Sequence, residues 1–411
     1  MKRDKKHFKV VLFFGVYLFA FNCYGQELKG YTDEAVSNSP EIQKVQFQYE
    51  TAVEKVNESN WLPNTELSAG YFLSEPETRV GAQRARFSLK QMIPWFGTIT
   101  ARENYTNAVA ALQYEELIIA KRRLIVSVSQ SYYNLMANRA KQEVLEKNVK
   151  LLDTYERLAL TSLEVGKASA VSVLRLQIRK NELEQSKEVL QQQYLAEQAV
   201  FNNLLNRKSD MTVIVVSELT MPSETEMISE ENLKVHPELT KYDKLYESVS
   251  QSELLNQKES SPMLGFGLDY IPVSQRTDMD PLDNGKDILM PMVTLSIPIF
   301  NSKYRSQSRQ NHLKQQEITS QKEERLKTLQ TMLSRAIHDR NSARISYDTQ
   351  SKNLKQAADA EEILIKNYET GMIDFNDVLD IQELQLRLQI SKIESIKMYY
   401  IQSTVINYLT N

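Results

Sequence analysis

Asp377 and Asp380 stand three residues apart in Asp377-Val378-Leu379-Asp380, which puts two carboxylates on one face of a helix. Such a pair can draw cations to a narrow passage. It can equally be a solvated helix start, where the macrodipole favours negative charge. Other reactive groups are scarce. Beyond residue 25 the histidines are His236, His312 and His338, and none has a partner at metal-ligand spacing. There is no phosphate-cradling glycine loop, no His-Glu-x-x-His and no Ser or Cys in a nucleophile context. No catalysis, cofactor or metal centre is expected, and nucleic acid is not expected as a partner.

The elements that position those carboxylates occur twice. Glu164-Val165-Gly166 precedes Val171-Ser172-Val173-Leu174-Arg175, and Glu369-Thr370-Gly371 precedes Asn376-Asp377-Val378-Leu379-Asp380. Upstream lie Ile93-Pro94-Trp95-Phe96 and Ile297-Pro298-Ile299-Phe300, and further upstream Ser39-Pro40-Glu41-Ile42 and His236-Pro237-Glu238-Leu239. A repeat of this length is a duplicated architectural unit, not a short solenoid repeat.

Only 11 glycines and 11 prolines punctuate 411 residues, which suits long uninterrupted helices. The first copy predicts helices over 40–61, 98–164 and 168–206; the second, over 238–259, 301–370 and 373–409. Each long helix thus faces two shorter ones end to end. The first long helix would extend roughly 100 Å at about 1.5 Å per residue. Such lengths imply antiparallel coiled-coil packing, with Leu117, Ile118, Leu124, Ile125, Val128, Tyr132 and Leu135 in the seam. Residues 211–235 link the copies as irregular structure containing Val213-Ile214-Val215-Val216.

Between the helices the period changes to two. Over 64–92, Leu67, Ala69, Tyr71 and Leu73, then Ala85, Phe87 and Leu89, alternate with polar residues that include Arg84, Arg86 and Lys90. Over 263–297, Leu264, Phe266, Leu268 and Tyr270, then Val293, Leu295 and Ile297, do the same. Two hairpins of strands about ten residues long match tilted membrane-spanning strands in an exported chain. A water-soluble sheet has the same alternation. In lipid, four strands cannot end in open edges, so other chains must complete them. Arg84, Arg86 and Lys90 then line the interior or lie near the headgroups.

The start of the chain reads as a secretory signal over residues 1–25. Lys2, Arg3, Lys5, Lys6 and Lys9 precede the apolar run Val10–Phe21, and Cys23-Tyr24-Gly25 is a small-x-small cleavage site. A rival reading acylates Cys23, although Ala20, Phe21 and Asn22 make a poor lipobox. Residues 1–25 carry five Lys/Arg against one Asp, so their removal takes the formal charge from −3 to −7. It also removes the single cysteine, and with it any disulfide or thiolate site. No later stretch is apolar enough for a transmembrane helix.

The order of helix, hairpin, long helix, glycine turn and return helix, given twice, resembles the TolC-type outer membrane efflux proteins. The likeness covers essentially the whole chain after the signal. Gly371 followed by Asp377-Val378-Leu379-Asp380 resembles that family's periplasmic tip, and Glu164-Val165-Gly166-Lys167-Ala168 resembles the tip of the first copy. The resemblance implies a mainly α fold with a membrane β-barrel: a homotrimer giving four strands per chain to a twelve-stranded barrel. Its helices form a tube that crosses the periplasm and docks a periplasmic adaptor and an inner-membrane pump. It places the chain in outer membrane lipid. It makes Asp377 and Asp380 rings of three carboxylates at the periplasmic gate, and Val165, Gly166, Lys167, Gly371 and Met372 adaptor-docking tips.

Gln91-Met92-Ile93-Pro94-Trp95-Phe96-Gly97 and Asp283-Asn284-Gly285-Lys286-Asp287, with Met290-Pro291-Met292, resemble the heavy-metal, CusC-like branch. The family's basic residue two positions after the tip glycine is replaced by Ile373. Arg175 is an alternative tether, through a neighbouring acid. Type I secretion and multidrug efflux are competing duties for a duct. A periplasmic coiled-coil adaptor is the competing class, but it has one helical hairpin where this chain has two.

Overall fold

The computed structural model describes residues 23–164, 166, 169–216, 220–223, 230–300, 302–370, 372–373 and 375–411. Val165, Lys167, Ala168, Gly371 and most of the signal segment lie outside the described residues. Helices α1 (Cys23–Asn38) and α2 (Pro40–Glu58) lead into strands β1 (Glu66–Tyr71), β2 (Glu77–Thr78), β3 (Gly81–Ala82) and β4 (Ala85–Ile93). Helices α3 (Thr98–Glu164) and α4 (Ala170–Leu204) complete the first copy. A 3-10 turn at Glu230–Val235 precedes α5 (Pro237–Glu259), β5 (Met263–Ile271), β6 (Ile288–Ser296), α6 (Ser302–Glu369) and α7 (Phe375–Thr410).

Helix α1, strand β1 and the residue Ile125 differ from the sequence reading. Helix α1 was not expected; Gly30 and the scatter of polar residues lower its local propensity, and burial of Thr32 and Ala35 supplies what propensity does not. Strand β1 is six residues rather than about ten, because the segment after Tyr71 leaves the ladder. The turn it enters holds the small β2–β3 ladder. Ile125 is 39% exposed and so lies outside the seam. Leu117, Leu124, Val128 and Leu135 are buried at the 3.5-residue spacing of a coiled coil, and Ile125 sits one position beside that stripe.

The chain falls into two compact units that cut across the two copies, each taking part of both. One comprises Val45–Leu117 and Pro237–Arg325. Its sheet has the order β1-β4-β5-β6, antiparallel throughout. The central β4–β5 pairing joins the two copies, with Phe87 opposite Tyr270 and Ile93 opposite Leu264. Pro291 is tolerated in β6 because β6 is an edge strand. Below the sheet, Asn256 of α5 donates to Tyr304 O at 3.0 Å, and Glu253 accepts from Ser308 (2.7 Å) and Asn311 (2.9 Å) of α6.

The other unit comprises the chain up to Lys44, Ile118–His236 and Leu326–Asn411. Its core runs along α3, α4 and α7 and includes Leu145, Leu152, Leu176, Leu183, Val378 and Leu386. Helix α6 buries a single stripe here, Leu329, Leu333, Ala336, Arg340 and Ala343, again near the 3.5-residue period. The inter-copy linker is pinned at this level: Tyr400 donates to Thr220 O at 2.8 Å and Arg344 to Pro222 O at 2.8 Å.

Candidate functional site

Among the described residues, chemically capable side chains come together at the turns between paired helices, in a polar knot along those helices and on the polar face of the sheet. Each lies within one compact unit.

At the first turn, Gly166 has φ +72°, a conformation that favours glycine. Ser169 caps α4 by accepting the Val171 amide at 3.2 Å. At the second turn, the Met372 amide reaches Asn367 O at 2.9 Å, and the Met372 side chain is 69% exposed. Phe375 opens α7 and is almost fully buried, with ring centroids 4.9 Å from Tyr368 and 5.5 Å from Tyr155.

That plug orients α7. With Phe375, Val378, Gln382 and Leu386 inward, Asp377 and Asp380 fall on the exposed stripe that continues through Leu384, Arg387 and Ser391. Neither carboxylate has a side-chain partner among the described residues. The corresponding positions of the first copy diverge: Ser172 is buried, and Arg175 donates to Asn376 Oδ1 at 2.8 Å. Within the chain, then, the partner of Arg175 among the described residues is a neutral amide.

A polar knot that the sequence reading passed over lies further along the same bundle. Glu361 of α6 accepts from Tyr155 of α3 at 2.8 Å and from Gln385 of α7 at 2.7 Å, and it also accepts from Gln382. Gln382 approaches the Tyr155 hydroxyl at 3.3 Å as well. Burial, and the Glu361 carboxylate that accepts its proton, push the Tyr155 hydroxyl up. No Lys or Arg pairs with Glu361 among the described residues. The knot ties the first helical pair to the second, as do Lys141 with Glu394 and Arg179 with Glu383 at 3.7 Å. Its signal was present in the sequence: Leu354, Ala357, Glu361 and Leu364 follow the seam period, and a glutamate on a seam is anomalous.

The sheet inverts the usual burial. Leu67, Phe87, Leu89, Phe266, Leu268, Leu289, Val293 and Leu295 share one face, and all are exposed. The opposite face is the sheltered one: Gly265, Asp269, Ile271 and Val273 are buried. A Cβ at Gly265 would collide with Met92 Sδ, so the thioether lies directly over that glycine. Arg86 and Lys90 share this sheltered face, where Arg86 pairs with Asp269 and Lys90 stands 4.0 Å from Glu66. Arg84 precedes β4, is exposed, and has no side-chain partner among the described residues. At the helix-proximal end of the strands, Trp61, Trp95, Phe96, Ile299 and Phe300 are exposed, with Phe300 at 89%. The Arg102 guanidinium lies 4.6 Å over the Trp61 ring.

Among the described residues no group of three or more His, Cys, Asp or Glu is placed to hold a metal ion. Among them, too, no helix is long and apolar enough to cross a membrane.

No protein-family model matches the chain, and no curated protein matches it in sequence. Solved structures do match in shape. The chain superposes on CusC, described in terms of transmembrane channel formation, with a TM-score of 0.77 at 12% identity over 94% of this chain and 92% of that one. For the outer membrane protein VceC of Vibrio cholerae the figures are 0.73, 15%, 94% and 96%. For the open-state MtrE outer membrane channel of Neisseria gonorrhoeae they are 0.72, 12%, 94% and 89%. At such identities the likeness establishes architecture: mainly helical, with long paired helices and a four-stranded antiparallel sheet, the chain has the fold of these outer membrane channel proteins.

Proposed function

We propose that this chain is the outer membrane exit duct of a tripartite efflux system. In this reading it is a homotrimer whose twelve strands close one barrel. It receives cargo from an inner-membrane pump of the resistance-nodulation-division type through a periplasmic adaptor. The observation that carries the proposal is the sheet: its large apolar side chains are exposed, its polar face is sheltered, and β1 and β6 are the open edges of this chain's sheet. An apolar exterior needs lipid, and open edges in lipid need neighbouring strands. The exposed aromatic cluster at the helix-proximal end then marks the inner boundary of the bilayer. In domain terms, residues 1–25 are an export signal, 26–210 and 236–411 are two copies of one unit, and 211–235 link them.

Asp377 and Asp380 form the periplasmic gate, as two rings of three carboxylates that attract cations and bind divalent ions. The tips around Val165, Gly166, Lys167, Gly371 and Met372 receive the adaptor. Arg84, Arg86 and Lys90 line the barrel. For cargo, the Gln91–Gly97 segment supports heavy-metal cations. Met92 and Met292 are assigned no metal-binding duty, since they fill the space above Gly265 and Gly267.

The test is growth of a deletion strain on graded copper, silver, zinc and cobalt beside dyes, bile salts and antibiotics. Selective metal sensitivity supports the full reading. Sensitivity to drugs and detergents alone retains the duct and rejects the metal cargo. A protein that is soluble without detergent and never trimerises rejects the duct.

A further inference from the structure

Asp269 is the most deeply buried carboxylate among the described residues, at 0% exposure. It lies on β5, directly opposite Ser88 of β4 and Met290 of β6, neither of which is charged. Its partner is Arg86, on the diagonal across the β4–β5 seam that joins the two copies. Arg86 is 46% exposed and also places Nη2 3.8 Å from Met292 Sδ. The guanidinium thus reaches across three strands, with Nη2 beside both the sheltered carboxylate and the Met292 thioether. Lys90, four residues further along β4, has its own acid in Glu66 at 4.0 Å. Each strand cation on this face is therefore matched by one carboxylate from a neighbouring strand, and of the two acids Asp269 is the one sealed from solvent.

We propose that Asp269 is the counter-charge that silences Arg86, so that the ion selectivity of the barrel segment depends on a residue no permeating ion can reach. The inference rests on the reading of the polar face as a lumen. A buried carboxylate is costly unless a cation is paired with it, so Asp269 and Arg86 hold each other in place. In turn, the carboxylate holds the guanidinium against the wall and cancels its field. Losing Asp269 uncovers one positive charge per chain, and three around a trimeric lumen. Losing both groups leaves the wall as neutral as before. Asp269 is therefore a positioning and compensating residue, acting on ions through Arg86.

The experiment is the reversal potential of purified trimers in planar bilayers under a potassium chloride gradient, for wild type, Asp269→Asn, Arg86→Gln and the double variant. Three unit charges about 10 Å from the ion path, screened over a Debye length of about 10 Å, should lower the cation-to-anion permeability ratio of Asp269→Asn roughly two- to fourfold. The double variant should return to the wild-type ratio. An unchanged ratio in a conducting Asp269→Asn trimer overturns the proposal, as does a double variant that stays shifted. If Asp269→Asn alone fails to assemble, assembly of the double variant supports the pairing, and failure of both refutes it. Wild-type trimers that do not conduct at all refute the channel reading instead.

Discussion

Replacing Tyr155 by Phe deletes one hydroxyl and leaves the ring that packs on Phe375. What it removes is the 2.8 Å hydrogen bond to Glu361, together with the 3.3 Å contact from Gln382. A hydrogen bond to a charged group contributes about 1.5–3 kcal/mol, and Glu361 is only partly buried, so about 1.5–2 kcal/mol is the expected loss. Glu361 retains its bonds from Gln382 and Gln385 and does not become an orphan. If the knot holds the helical pairs together at a closed tip, that loss shifts the closed-to-open ratio about 10- to 30-fold. Glu361→Gln should act more strongly, because its amide turns a donor toward at least one of the three donors it now meets. Single-trimer conductance is the assay, with melting of the trimer measured alongside. Unchanged conductance of Tyr155→Phe in an intact, equally stable trimer would refute the latch, and the knot would be a packing detail.

Three further outcomes are expected. Asp377→Asn with Asp380→Asn should lower cation selectivity and weaken block by divalent ions several-fold; unchanged conductance and block would remove the gate assignment. Burial, followed by the nearby Tyr400 and Tyr132, pushes the Tyr133 hydroxyl from 10 up to about 12. A raised acid favours the folded state while protonated, so about 2–3 kcal/mol is present below pH 10 and is lost as the pH climbs toward 12. Alkaline melting curves should lose that decline in Tyr133→Phe. Gly81 holds φ +136°, and a Cβ there would collide with Ser274 O. Gly81→Ala should therefore cost about 2–4 kcal/mol and disorder the outer turns, detectable as faster proteolysis between β1 and β4.

Much of the architecture is visible in the residues because periodicity is a local property. The change from a helical period to a period of two at Thr65 locates the first hairpin, and the scarcity of glycine and proline announces the long helices. Asp377 and Asp380 declare a shared face by spacing alone. The N-terminal helix was less legible: its first residues, Cys23 to Gly25, belong to a segment that reads as an export signal, and its stability comes from buried Thr32 and Ala35 rather than from propensity. The end of β1 was equally hidden, since alternation persists through Leu73 after the ladder has stopped.

By itself the chain determined its strand faces, its helical seams and its duplication, all of which arise from neighbours within a few residues. Only the tertiary structure decided who meets whom across the copies. Arg86 finds Asp269, Glu361 gathers Tyr155, Gln382 and Gln385, and Arg175 settles on Asn376. Each of these contacts joins residues from different elements, and most span more than 180 positions. Such partners are chosen by register and by the need to satisfy polar groups in sheltered places, and neither constraint leaves a mark on the local pattern.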